Sequence, residues 1–360
     1  MTIYIITYLI LLFFALTDSK QKTYSFITII LLCILAFFRD STVGTDVAGY
    51  SINFRKINWS ETTWNYLIPF EPGFNYYILY FKYYIINNPM ACWGLIGIIY
   101  TLSFYRFAKR YTRNINVALL CFYLMGTYFL VYNIMRQCFA CAFLLLIFSY
   151  IDINNPSKKD ILISAVCILL IGLFLHPTMF IFYTYYLYHI KIFNKLLTKK
   201  IMIAIVSISF IIFYTQAIIP FITSFIETNS PEGKLVNYAI RNIQNNEDSG
   251  FSLLKILLIT SFQIYLIASA TNTKNIFLFT GTCGVIFLNC FGILVVEFAR
   301  IYELFICLQI IYMSQIWNTK KYNILTKLYK PILFAYLTIT FISIILKNYG
   351  EIVPYNFRFF

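Results

Sequence analysis

Apolar residues come along this chain in long blocks separated by short polar connectors. Runs near 2–17, 24–38, 90–105, 115–132, 134–151, 161–175, 177–190, 201–223, 251–270, 276–296, 298–316 and 331–346 are apolar nearly throughout. A helix that crosses a bilayer needs roughly 20 apolar residues, with a range of about 17–25. The runs therefore predict about twelve transmembrane helices, the shorter ones completed by flanking residues. A further run, 74–87, is interrupted by Lys82 and ends at Asn87-Asn88-Pro89.

Composition sharpens this picture. Hydrophobic residues make up 60% of the 360 positions and charged residues only 12%, against roughly 25% charged in a typical soluble domain. So apolar a surface aggregates in water, which makes lipid the solvent for most of the chain. The expected fold class is an all-α polytopic membrane protein, with one transmembrane domain over 1–360 and outer loops at 39–73 and 224–250. Membrane lipid is its surroundings. The 31 tyrosines suit helix ends, where an apolar ring with a polar tip sits at headgroup level. The first run lacks a basic leader and a small-residue cleavage site, so it reads as a retained helix.

The net charge of +14 raises the question of nucleic acid. The basic residues are spread over short connectors and form no long tract, so no nucleic-acid partner is expected. They gather instead at Lys20/Lys22, Arg106/Lys109/Arg110/Arg113, Lys158/Lys159, Lys191/Lys195/Lys199/Lys200, Lys274 and Lys320/Lys321/Lys327/Lys330. Loops rich in Lys and Arg face the cytoplasm, and from residue 106 onward simple alternation puts all these connectors on that side. A full crossing by 74–87 would break the alternation, so that run is assigned as a re-entrant or interfacial helix. Both termini then lie outside. No internal repeat supports an inverted-repeat transporter. The nine cysteines all lie in apolar stretches and read as packed thiols, including the Cys138/Cys141 pair. No Cys/His cluster has zinc spacing, and neither a metal nor a cofactor is expected.

Charge near a membrane is costly, so charged residues at span ends beside outer loops are the candidates for function. Arg39, Gly44 and Asp46 lie within eight residues, directly after the second span. The alternative there is an ordinary exit loop with a snorkelling arginine. Glu71 stands before Pro72-Gly73, where the chain re-enters the membrane; a favourable acidic helix start explains it equally. Arg136, followed by Gln137, opens an apolar span with no acid nearby in sequence. A guanidinium there seeks a carboxylate or a phosphate, and a salt bridge to another helix is the plainer reading. Glu297 and Arg300 sit at i, i+3, where they are spaced to pair with each other. His176 precedes Pro177 at a chain reversal, and its ordinary pKa near neutrality suits proton transfer.

The segments FRDSTVGTDVAGY from Phe38, FEPGF from Phe70, NIMRQ from Asn133 and LHPT from Leu175, in this order and spacing, resemble EpsG-like proteins. These belong with the Wzy-type O-antigen and exopolysaccharide polymerases. The C-terminal half is similar mainly in hydropathy, with Glu297 and Arg300. The resemblance implies a multi-pass protein of the bacterial inner membrane that joins polyprenyl-diphosphate-linked oligosaccharide units at the periplasmic face, with a chain-length regulator protein as a possible partner. The leaving lipid diphosphate gathers negative charge, which Arg39, Arg136 and Arg300 are suited to neutralise, with Gln137 and Glu297 beside them. Asp46 is the first candidate to take the acceptor proton, with His176 and Glu71 behind it. A lipid-linked oligosaccharide flippase or transporter, and an O-antigen ligase-type transferase, are the rival readings.

Overall fold

The computed structural model of the protein describes residues 1–17, 21–58, 70–191, 193, 197–215, 253–292, 296–317 and 324–358, with the side chains of 296–299 excepted. The outer loop 224–250 and part of 39–73 lie outside these residues. The described chain is helical, and its one β-type contact is an isolated antiparallel bridge between Arg39 and Phe357. In chain order the helices are α1 (Thr2–Leu16), α2 (Gln21–Phe37), α3 (Val47–Lys56), α4 (Pro72–Tyr80), α5 (Pro89–Tyr111), α6 (Ile115–Leu124), α7 (Met135–Phe148), α8 (Lys158–Phe174), α9 (Tyr185–His189), α10 (Lys199–Thr215), α11 (Leu253–Ser269), α12 (Ile276–Phe291), α13 (Val296–Ile316), α14 (Ile324–Lys327) and α15 (Tyr329–Leu346). A π-helical turn, Phe81–Ile85, extends α4, and 3-10 segments cover Tyr128–Tyr132 and Pro177–Thr184. The chain forms two compact units, residues 1–183 with 337–360, and residues 184–336.

In the first unit α6 is the innermost helix, with all ten residues buried. Helices α1, α2 and α5 pack around it, and small residues set the spacing of α2 and α5. A Cβ on Gly97 would lie 2.6 Å from the Cβ of Ala36, and one on Gly94 would lie 2.9 Å from the Cα of Phe37. Without a strong hydrophobic force between helices in lipid, such close backbone approach is what supplies packing energy. The outward faces are apolar: Phe13, Phe26, Leu162 and Leu173 are each more than half exposed. In water these faces are unfavourable, and in a bilayer they are at rest. Helices α5 and α15 are long and apolar enough to cross a membrane, and α1, α2, α6, α7, α11 and α12 are shorter apolar helices.

Helix α5 gives the first unit two chemically distinct ends, about 35 Å apart at 1.5 Å per residue. Asn88 caps its start, accepting from the N–H groups of Met90 and Ala91, and Gly94 there meets the end of α2. At its other end stand Arg106, Lys109 and Arg110, with the Arg106 guanidinium 4.3 Å from the centre of the Tyr150 ring. Lys158 and Lys159 open α8 near this end, behind a Ser157–Asp160 capping box.

The second unit packs α10 to α13 around buried polar side chains. Asn289 donates to Ser209 Oγ (3.0 Å) and accepts from Thr260 (3.2 Å). Gln263 donates to Thr282 (2.8 Å) and accepts from Gln309. Each amide finds a side-chain partner on a neighbouring helix, as an apolar solvent demands.

Every apolar run read from the sequence contains a helix, but among the described residues two are not continuous. The run 115–132 breaks after α6, where Gly126 adopts φ +83°, a left-handed turn that other residues rarely enter. The run 177–190 begins as a 3-10 segment after Pro177 and becomes α-helical only at Tyr185. The segment 72–85 stays beside the start of α5. Phe74 stacks on Trp93, Tyr77 donates to the Cys92 carbonyl, and Lys82 donates to the carbonyls of Arg55 and Ile57. Its 14 residues, about 21 Å long, therefore begin and end at the same end of the unit.

The close packing of α5 on α2 is testable. Gly97→Val should lower stability by about 1–3 kcal/mol through overpacking, read as a fall in thermal unfolding temperature in detergent. Gly49→Ala in α3, where an added Cβ meets nothing within 4 Å, should leave it unchanged or slightly raised.

Candidate functional site

The end of the first unit opposite the basic connectors carries a cluster of charged side chains built from four elements. Glu71 is the N-cap residue of α4, and Pro72 starts that helix. Gly73 lets this start press onto the end of α8, since a Cβ there would stand 2.7 Å from the Phe174 carbonyl oxygen. The approach brings Glu71 to His176, which follows α8. Arg136 lies in the first turn of α7, and Tyr50 lies one turn into α3. Aromatic contacts wedge these elements together. The Tyr50 ring packs on Phe70 and Trp93, and the Phe74 and Tyr77 rings pack on Phe139 of α7.

Within this frame Arg136 Nη1 donates to Glu71 Oε2 at 2.9 Å, and Arg136 Nε donates to the Tyr50 hydroxyl at 3.3 Å. The guanidinium lies over the Phe70 ring at 4.8 Å. His176 Nε2 stands 3.9 Å from the other Glu71 oxygen. The cluster is only partly buried, with the Arg136 side chain 25% and the Glu71 side chain 18% exposed. The carboxylate sought by Arg136 is thus supplied from 65 residues away in sequence. Among the described residues no group accepts from Arg136 Nη2, so the guanidinium is fixed along two of its nitrogens and open at the third. That leaves the N–H groups of one nitrogen of a fixed guanidinium fork free to meet an anion.

Asp46 is the N-cap residue of α3, one turn before Tyr50, and half-buried. Among the described residues its carboxylate receives only a long contact from Thr45 Oγ1 at 3.5 Å, which leaves it available to a substrate. Asn133 holds the loop before it, accepting from the Thr45 N–H (2.8 Å) and hydroxyl (3.0 Å). Gly44 adopts φ +111°, and a Cβ there would run into the Tyr132 carbonyl. Nearby Asp40 is partly buried, which works against its charge. The Thr42 and Ser41 donors outweigh that and hold its carboxyl below the usual range.

Arg39 does not join Asp46, although the two are close in sequence. It is 1% exposed, with its guanidinium 4.6 Å from the centre of the Tyr132 ring and Nη2 3.7 Å from Met135 Sδ. Its Nε and Nη1 have no hydrogen-bond partner among the described residues. The chain's last residues close over it. Asp40 N–H donates to the Asn356 carbonyl, Arg358 N–H to Phe38, and Gly44 N–H to Glu351, while Tyr355 donates to the Leu35 carbonyl. Tyr4 of α1 donates to the Ile352 carbonyl, so the start of α1 and residues 351–358 share this end of the unit.

Gln137, next to Arg136 in the first turn of α7, is buried, and its Oε1 has no partner among the described residues. Arg300 is half-buried in the second unit, within α13. Its electrostatic neighbour is Glu303, which also feels Lys255. The pairing read for Glu297 falls on a side chain outside those described. Sequence reasoning missed Tyr50, one tyrosine among many, and Glu303. Glu303 sits two turns into an apolar span, whereas the candidates were sought at span ends. No group of three or more His, Cys, Asp or Glu stands together among the described residues.

The helices and this cluster define an all-helical membrane protein with a partly open charged site at one end of its first unit. A family model described as the EpsG family matches residues 22–357, nearly the whole chain, and the protein belongs to the EpsG family. Comparison with curated proteins and with solved structures found no match.

The docking of α4 on α8 sets the cluster's geometry. Gly73→Ala forces a Cβ against a backbone carbonyl that has no rotamer to escape by. It should cost about 1–3 kcal/mol and withdraw Glu71 from His176, seen as lowered thermal stability in detergent.

Proposed function

We propose that this protein is a polysaccharide polymerase, a membrane glycosyltransferase that joins polyprenyl-diphosphate-linked oligosaccharide units at the periplasmic face of the bacterial inner membrane. The apolar runs supply about twelve spans, and 72–85 lies along the interface. Membership of the EpsG family supports the class of activity. The observation that carries the site is the Arg136 fork, held by Glu71 and Tyr50 with Nη2 open, at the end of the unit opposite the basic connectors.

In this reading the acceptor hydroxyl attacks the anomeric carbon of the donor sugar while Asp46 takes its proton. The bond from that carbon to the diphosphate oxygen breaks, and the lipid diphosphate leaves with the electron pair. Arg136 meets the charge that develops on it, in a site where hydrogen bonds are strengthened by the scarcity of water. Arg39, sealed among Tyr132, Met135 and the chain's tail, adds a fixed positive charge behind the loop. Arg300 and Glu297 are further candidate substrate-binding residues.

The test is the size distribution of surface glycan in a deletion strain restored with wild-type or variant genes. Wild type should return a full ladder. Arg136→Lys keeps the charge but loses the fork, so it should yield single repeat units from protein that is inserted at normal levels. A normal ladder from Arg136→Lys refutes the diphosphate fork. Loss of all surface glycan on deletion, single units included, favours a flippase or ligase.

A further inference from the structure

A neutral imidazole has one nitrogen that donates and one that accepts. At His176 the backbone settles which is which. The Thr178 N–H points at His176 Nδ1 at 3.3 Å, and the Thr178 hydroxyl oxygen lies 2.8 Å from the same nitrogen. A backbone N–H only donates, so Nδ1 carries the lone pair. Pro177 makes this local fold-back possible. Its ring fixes φ, and the 3-10 turn that starts there brings the N–H two residues on back over the imidazole, as in an Asx-turn. An imidazolium would set one N–H against another. The neutral ring with hydrogen on Nε2 is the form this geometry accepts, assigned from the hydrogen-bond pattern.

Nε2–H then faces Glu71 Oε1 at 3.9 Å, and Arg136 holds the opposite oxygen at 2.9 Å. A small rotation of the carboxylate closes the longer gap, as catalytic contacts commonly tighten when substrate binds. Glu71 therefore sits between two donors. His176 has turned its one lone pair toward its own backbone. Of the two carboxylates here, Asp46 is the one without a strong donor among the described residues.

On the polymerase reading above, we propose that His176 is a positioning residue and not the base. It donates from Nε2 to Glu71, Glu71 aims the Arg136 fork at the substrate diphosphate, and Thr178 sets the tautomer that makes this possible. The order of dependence runs Thr178, His176, Glu71, Arg136. The charged group that faces the imidazole is Glu71 from α4, which Arg136 of α7 holds by its other oxygen and which Arg136 links to Tyr50 of α3.

The experiment is elongation by the purified full chain, supplied with lipid-linked repeat units extracted from the deletion strain, over a range of pH. A glutamine amide nitrogen can stand where Nε2 stands, whereas an asparagine amide reaches only the Nδ1 position. His176→Gln should keep kcat within about threefold of wild type, with a superimposable pH–rate profile. His176→Asn and His176→Ala should each fall about 10–100-fold, as removal of an orienting partner typically does. If the alanine variant fails to fold, the Gln and Asn pair still decides. Glutamine as inactive as asparagine, with an ionisation near neutrality lost from the profile, makes His176 the base and overturns the proposal. So does an alanine variant as active as wild type. Wild-type protein that elongates nothing refutes the polymerase reading itself, an outcome separate from any ranking of the variants.

Discussion

The ion pair between Arg136 and Glu71 is the contact on which the outer end of the first unit depends. It joins the start of α7 to the start of α4, and through Tyr50 and His176 it reaches α3 and the end of α8. An unpaired guanidinium or carboxylate at such a depth is costly. Once each supplies the other's counter-charge, the four elements have a reason to meet. The pair also leaves function in reach, because a fork held on two nitrogens is stiff without being saturated. Partial exposure matters in the same way: a fully buried pair would be inert, and a fully exposed one would lack rigidity.

The rest of the unit answers the same constraint, that polar groups in an apolar solvent need partners from within the protein. Phenol hydroxyls of Tyr128, Tyr132 and Tyr355 donate to carbonyls in the last turns of α2. The tail at 351–358 supplies backbone partners to the loop after α2. Arg39 is the exception that shows the strength of the scaffold. Its charge is offset by the Tyr132 π face, an interaction whose value rises on desolvation. In the second unit the side-chain amides of Gln263, Asn289 and Gln309 serve the same end between helices.

Much of this was legible in the chain and some was not. Apolar runs mark helices because lipid offers the backbone no other partner, so the positions of the helices follow from hydropathy. Run length alone cannot show a break such as that at Gly126, where one residue reverses the backbone. Glu71, Arg136 and His176 were each visible as charges or imidazole at span ends, but their meeting was not, because no local signal links residues 65 and 105 positions apart. Proximity in sequence misled at Arg39 and Asp46. The end of α2 turns the first inward beneath the tail, and the start of α3 carries the second away. Tyr50 joins the cluster by a hydroxyl and by ring contacts from other elements, and the strap over Arg39 joins positions more than 300 residues apart, which no pattern in one sequence encodes.

The central claim is that Arg136 serves the substrate and Glu71 serves Arg136. The direct measurement is surface glycan length from a strain carrying the paired exchange Glu71→Arg with Arg136→Glu, beside its membrane-inserted protein level. The exchange keeps an ion pair between α4 and α7 but moves the guanidinium to the wrong helix. The account predicts normal protein levels and glycan stalled at a single repeat unit. A full-length ladder from the exchanged pair would show that the two residues only brace the helices, and would contradict the account.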